Sequence, residues 1–224
     1  MKTIPQILSA ELNQPEAYIQ NVIALLDEGN TIPFIARYRK EAHGAMDDTT
    51  LRALETRLQY LKNLQARRDE VKSSIESQGK LTDELSAAID EAATLAEVED
   101  LYRPYKQKRR TRATVAREKG LEPLAEAIFA QTRGMAAPDV LAQDYLDAEK
   151  GVETVADALQ GANDILAEQF SDDAEIRKSL RGLMQKRAAA CSKASDPDAD
   201  SVYRLYYEFS QPVAKLQRHQ VLAL

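Results

Sequence analysis

DDTTLRALETRLQYLKNLQARRDEVKSSIESQ, residues 47–78, carries Leu51, Leu54, Leu58, Leu61, Leu64, Val71 and Ile75 at helical or heptad spacing. That spacing lines the side chains along one helix face, because three to four residues make one turn. Asp47 or Asp48 is placed to cap the helix, and Gly79 ends it. The stretch predicts a helix of about 45 Å, long for a globular protein. Two uses fit it. One is a central strut on which other helices pack; the other is a coiled-coil arm, although Arg68 interrupts its seam.

Shorter helical patterns surround it. Residues 4–12 read as one. Pro15 suits a first helical position, behind a cap at Asn13 or Gln14, and Ile19, Val22, Ile23 and Leu26 run to Gly29. Thr31 opens the next helix with Pro33 in its first turn; Phe34, Ile35 and Tyr38 form its apolar stripe, and Gly44 ends it. Two helices joined by a glycine turn across about 15–42 could form a helix-turn-helix-like element or a plain hairpin. Beyond the strut, helices are expected from Asp83 to about Ala92, Leu95 to Leu101, Glu122 to about Thr132, Pro138 to Gly151, Val152 to Phe170, and from a cap at Asp172 or Asp173 to about Cys191. An Asp-rich linker, 192–201, separates these from a Tyr-rich restart at Tyr203, Tyr206, Tyr207 and Phe209, more suited to docking than to ligand binding. The chain closes on a strand-like Val-Leu-Ala-Leu.

Eight glycines and eight prolines in 224 residues leave room for long helices, and β-branched residues rarely alternate with polar ones. The expected class is all-α: a multi-helix array around one long central helix. A lone cysteine, Cys191, excludes an intramolecular disulfide framework, fits a reducing cytoplasm, and reads as an inert, partly buried thiol. No apolar run approaches the length of a membrane span, so no membrane partner is expected.

Two histidines, one cysteine and the absence of Gly-x-Gly, Gly-Lys-Ser/Thr and Gly-x-Ser-x-Gly remove the familiar metal, nucleotide and hydrolase motifs. No catalytic residue, metal or cofactor is expected.

The net charge of −6 hides an uneven distribution. From Arg103 to Lys119 there are eight bases (Arg103, Lys106, Lys108, Arg109, Arg110, Arg112, Arg117 and Lys119) and one acid, a net of +7; the rest carries 22 bases and 35 acids, a net of −13. Clustered Arg and Lys neutralise phosphates and release counterions. Tyr102 and Tyr105 flank them as stacking candidates. Residues 105–112 read as an ordered loop after Pro104. The competing reading is internal neutralisation. Residues 82–101 hold seven acids and no base, and residues 139–175 supply more. Composition leaves the two readings level. Arg37, Arg39 and Lys40 are weaker nucleic-acid candidates, should their helix enter a groove; alternatively Arg37 pairs with Glu41 and the aromatics are core.

Three segments then carry a family resemblance: LLDEGNTIPFIARYRKE at 25–41, EDLYRPYK at 99–106 continuing through Lys108-Arg109-Arg110-Thr111-Arg112-Ala113, and Ala116-Arg117-Glu118 followed by GLEPLA at 120–125. The chain resembles the N-terminal region of the bacterial Tex family of transcription accessory proteins. The resemblance implies a helical region with a helix-turn-helix-like element, similar to part of a eukaryotic elongation factor. In the family, a YqgF-type ribonuclease-H-like domain, helix-hairpin-helix elements and an OB-fold RNA-binding module follow. The expected partners are therefore nucleic acid (RNA or DNA), bound mainly through those further domains, and the transcription machinery. The family pattern of His-Arg before the YqgF-type strand is His219-Gln220 here. The expected organisation is a helical region over 1–191, the linker, and the start of a YqgF-type domain at 202–224, in an N-terminal piece of a longer protein. A protein-docking module with no nucleic-acid contact of its own is the alternative.

Overall fold

The computed structural model describes every residue other than Met1, Ala45 and Lys108. It divides into two compact units, 1–102 and 103–224. Helices dominate both.

In the first unit the elements are α1 (Ile4–Leu12), α2 (Glu16–Asp27), α3 (Ile32–Tyr38), α4 (Lys40–His43), α5 (Asp48–Glu76), α6 (Asp83–Glu91) and α7 (Leu95–Tyr102). The long helix forms as its pattern requires. Asp47 accepts a hydrogen bond from the Thr50 amide at 2.7 Å, and all seven expected apolar residues of α5 are buried. Removing each from water contributes about 2 kcal/mol before entropy is counted. Its N-terminal half shares a core with Leu8, Ile19, Val22, Ile32 and Ile35. Its C-terminal half packs on α6 and α7, where Ile89 and Val98 are buried. Helices cover α5 along both halves, so it is a strut and not an arm. Arg68, which breaks the apolar seam, donates to the Ala92 carbonyl at 2.8 Å and so satisfies the end of α6.

Two details differ from expectation. Pro15 is the residue before α2 and not its first helical position; its ψ of 134° is extended. The helix expected from Ile32 to Gly44 breaks at Arg39 (φ −128°, ψ 39°) into α3 and α4. Gly44 then adopts φ +60° against the Tyr18 ring, whose Cδ2 lies 2.5 Å from where a Cβ would sit, so both conformation and space require glycine.

The second unit contains α8 (Arg112–Glu118), α9 (Glu122–Ala130), α10 (Pro138–Ala142), α11 (Val155–Asp172), α12 (Ala174–Arg187), β1 (Ala189–Lys193), β2 (Glu208–Pro212) and α13 (Arg218–Ala223). Its core lies between α8, α9, α10 and α11, and six of its eleven buried residues are alanine. The helix expected over 138–151 stops early. Asp147 accepts from the backbone amides of Glu149 (3.0 Å) and Lys150 (3.2 Å), and a bridge to Val152 closes a turn. A short side chain that bonds its own backbone competes with helix. The helix expected to reach Cys191 ends at Arg187 instead. Residues 189–193 pair antiparallel with 208–212, Cys191 opposite Ser210, because cross-strand pairing overrides the helical preference of this Ala-rich stretch. The linker expected at 192–201 thus begins inside β1. Cys191 is exposed, not partly buried. The closing Val-Leu-Ala-Leu, read as strand-like, is mostly helical in α13.

Candidate nucleic-acid interface

The basic segment opens with Arg103–Tyr105 as a single 3-10 turn and reaches α8 at Arg112. Its helical start is built by threonines. Thr111 accepts from the Thr114 amide at 3.1 Å, and the Thr114 hydroxyl accepts from the Thr111 amide at 3.4 Å, a capping box. The Thr111 hydroxyl also donates to Glu168 of α11 at 3.0 Å.

The cations then separate into two groups. Arg117 donates to Glu168 at 2.7 Å and to Glu122 at 3.2 Å, and these carboxylates push its pKa further up. Arg103 donates to Asp172 at 3.0 Å. Lys119 donates to the Gly151 carbonyl at 2.7 Å. These three fasten the segment at both ends. Between them the contacts loosen. Arg112 is 86% exposed, with its Nε 3.7 Å from Asp164. Arg110 reaches Glu118 at 2.5 Å, and both partners are open to solvent. Arg109 is exposed and, among the described residues, has no carboxylate in ion-pairing range. Lys106 is exposed; Lys108 lies outside the described residues. A shallow hollow of about 380 Å³ brings Arg103, Lys106 and Arg109 beside Thr111, Glu168 and Asp172.

Among the described residues, the acids that pair with this segment include Glu118, Glu122, Asp164, Glu168 and Asp172, the last three spaced four residues apart along α11. Within the first unit, acids of the stretch at 82–101 make contacts of their own. Glu99 binds Arg67 at 2.6 Å, Asp90 pairs with Lys72, and Glu97 accepts from the Ala93 amide at 2.7 Å. The spacing of Asp164, Glu168 and Asp172 on one helix face was the signal available in the sequence.

Of the stacking candidates, Tyr102 is half-buried beneath the Arg67 guanidinium, 5.4 Å from its centroid, with its hydroxyl 2.9 Å from that of Ser74. Tyr105 is half-buried. Arg37, Arg39 and Lys40 are all exposed, and Arg37 forms no ion pair with Glu41 among the described residues. Phe34 and Tyr38, read as core, are 38% and 59% exposed; only Ile32 and Ile35 of α3 are buried. Among the described residues, no group of His, Cys, Asp and Glu is arranged to hold a metal ion, and no helix is long and apolar enough to cross a membrane.

A mostly all-α chain with one concentrated basic segment defines the class as a helical region, and known proteins give it a family. Residues 2–76 match the Tex-like protein N-terminal domain, and residues 134–224 match the Tex central region. The chain belongs to the Tex family of transcription accessory proteins. It is 43% identical to the transcriptional accessory protein Tex of Neisseria gonorrhoeae over 99% of its length, and 44% identical to protein tex of Bordetella pertussis over 97%. It is 30% identical to the human S1 RNA-binding domain-containing protein 1 over 98%. It spans 29%, 27% and 22% of those three proteins, less than a third of each.

Proposed function

We propose that this chain is the N-terminal helical scaffold of a Tex-like protein that binds RNA or DNA, and that it adds an auxiliary phosphate contact through its basic loop, without a catalytic step. The transcription machinery is the expected protein partner and the cytoplasm the expected compartment. The observation that carries the reading is the division within the basic segment. Arg103, Arg117 and Lys119 are spent on the fold, whereas Arg109, Arg110 and Arg112 present guanidinium groups to solvent. Guanidinium forks suit phosphate oxygens, and contacts to phosphate carry no sequence information. The relative named for an S1 RNA-binding domain supports the same reading.

The test is a salt titration of single-stranded RNA and duplex DNA binding, comparing the parent with Arg109→Ala/Arg110→Ala/Arg112→Ala. Weaker binding and a salt slope shallower by up to about 0.7–0.9 per lost contact are expected. Unchanged affinity in the triple variant, or no binding by the parent at low salt, refutes the phosphate contact.

A protein-docking role is the second reading, and α12 favours it. No residue of that helix is buried, and Ile176, Leu180, Leu183 and Met184 make an apolar stripe exposed by 37–59%. Such stripes on a soluble helix mark contact with another protein surface.

A further inference from the structure

α3 offers four large apolar side chains and buries two. Ile32 and Ile35 face the core; Phe34 and Tyr38, one turn apart, stand outside with ring centroids 5.3 Å apart and planes tilted by 46°. Each ring carries a guanidinium. Arg37 Cζ lies 6.0 Å from the Tyr38 centroid, and Arg39 Cζ lies 5.7 Å from that of Phe34. Lys40 follows, also exposed.

Two other cation–ring pairs show what is unusual here. Arg57 lies over Tyr60 but is clamped by both carboxylate oxygens of Glu11, at 2.7 and 2.8 Å. Arg67 lies over Tyr102 but is held by Glu99 and Glu70. In those pairs a carboxylate fixes the guanidinium. Among the described residues, neither Arg37 nor Arg39 has a carboxylate partner, and their rings are open to solvent. The α3 face therefore combines two unburied aromatic surfaces with three cations not committed to an acid.

We propose that Phe34 and Tyr38, with Arg37, Arg39 and Lys40, form a binding site for single-stranded nucleic acid, stacking unpaired bases while the cations hold the flanking phosphates. Every base has a π-face, so rings bind single strands with little sequence preference, and guanidinium planes stack on bases as well. Positive charge selects a polyanion. A duplex keeps its bases stacked inside and cannot use the rings. The site lies in the first unit and works by base stacking, so it does not depend on the phosphate contact proposed for the basic loop in the second.

The experiment measures anisotropy of a labelled single-stranded RNA and of an abasic ribose-phosphate strand of equal length. It is run on the whole chain in the Arg109→Ala/Arg110→Ala/Arg112→Ala background, so that the loop's three exposed arginines cannot supply the signal. Phe34→Leu/Tyr38→Leu keeps apolar bulk at exposed positions and removes the rings. It should weaken RNA binding about tenfold or more, leave the salt slope unchanged, and leave the abasic strand unaffected. Arg37→Gln/Arg39→Gln should make the slope shallower for both strands. Ultraviolet cross-linking should put an RNA adduct on Tyr38. Loss of all RNA binding in the background variant, equal RNA affinity with and without the rings, or ring-dependent binding of a poly-glutamate peptide in place of RNA would overturn the site; the basic-loop reading is judged separately by the parent chain.

Discussion

The two units solve the packing problem with different side chains. The core shared by α1, α2, α3 and α5 is built from Leu, Ile, Val and Met, with no alanine among its ten buried members; the core between α8, α9, α10 and α11 is built on six alanines among eleven. Large side chains keep helices apart and concentrate burial in a few residues. Alanines let helix backbones approach, so the energy is spread and the tolerance for added atoms is small. The difference bears on function. Close approach of α8 and α11 is what brings Glu168 within hydrogen-bonding distance of both Thr111 and Arg117. The alanine-packed unit thus anchors the basic segment, while the large-residue unit displays its spare aromatics on α3.

The largest effect is expected where burial is concentrated. Leu54 in α5 is fully buried, and Leu54→Ala should destabilise the first unit by about 3 kcal/mol through lost transfer energy and the cavity left behind. Urea unfolding checks it. A loss below about 1 kcal/mol would mean that the large-residue core collapses around the gap, and the contrast between the units would fail.

The converse change probes the other unit. A Cβ at Gly161 of α11 would collide with Leu121 Cδ1 and lie 3.3 Å from Ala116 Cβ. Alanine is the better helix former by about 1 kcal/mol, and overpacking costs about 1–3 kcal/mol. Gly161→Ala should therefore lower stability by about 1 kcal/mol. It should also loosen the hold of Glu168 on Thr111 and Arg117, visible as faster amide exchange at the start of α8. A stabilised variant would show that α8 and α11 are not closely packed.

How far the sequence revealed all this follows from which forces were local. The strut was legible because Leu51 to Ile75 repeat along one face and Asp47 caps the start, both properties of neighbouring residues. The break at Arg39, the turn at Asp147 and the β1–β2 pair were not. The turn depends on a side chain competing with the backbone, and the strand pair on a partner distant in sequence. The same holds at the candidate interface. Charge density singled out Arg103 to Lys119, but which cations are spent depends on α11 lying beside α8, and no periodicity in the segment encodes that. Phe34 and Tyr38 misled for a related reason: with Ile32 and Ile35 they complete a plausible stripe, and only the packing of α3 shows which two face inward.

The smallest effect concerns acid, and it tests whether the two units are held at their helix starts in the same way. Asp47 opens α5 and Asp157 lies in the first turn of α11. Asp47 is held below the ordinary carboxylate range by hydrogen bonds from the Thr50 side chain and amide. Asp157 is held down in the same way by the Thr154 side chain and amide. Both groups are fully exposed, so each contributes modestly. A carboxyl whose folded pKa is depressed binds its proton more readily in the unfolded chain. The stability it contributes is therefore present above the unfolded value near pH 4 and is lost as pH falls through the folded one. Both units should weaken as pH falls below about 4. Asp47→Asn keeps an acceptor oxygen but cannot titrate, so it should flatten the acid response of amide exchange in α5 and leave that of α11 unchanged. An equal flattening in both helices would show that the two units unfold together, and that their contrasting cores do not act as separate cooperative bodies.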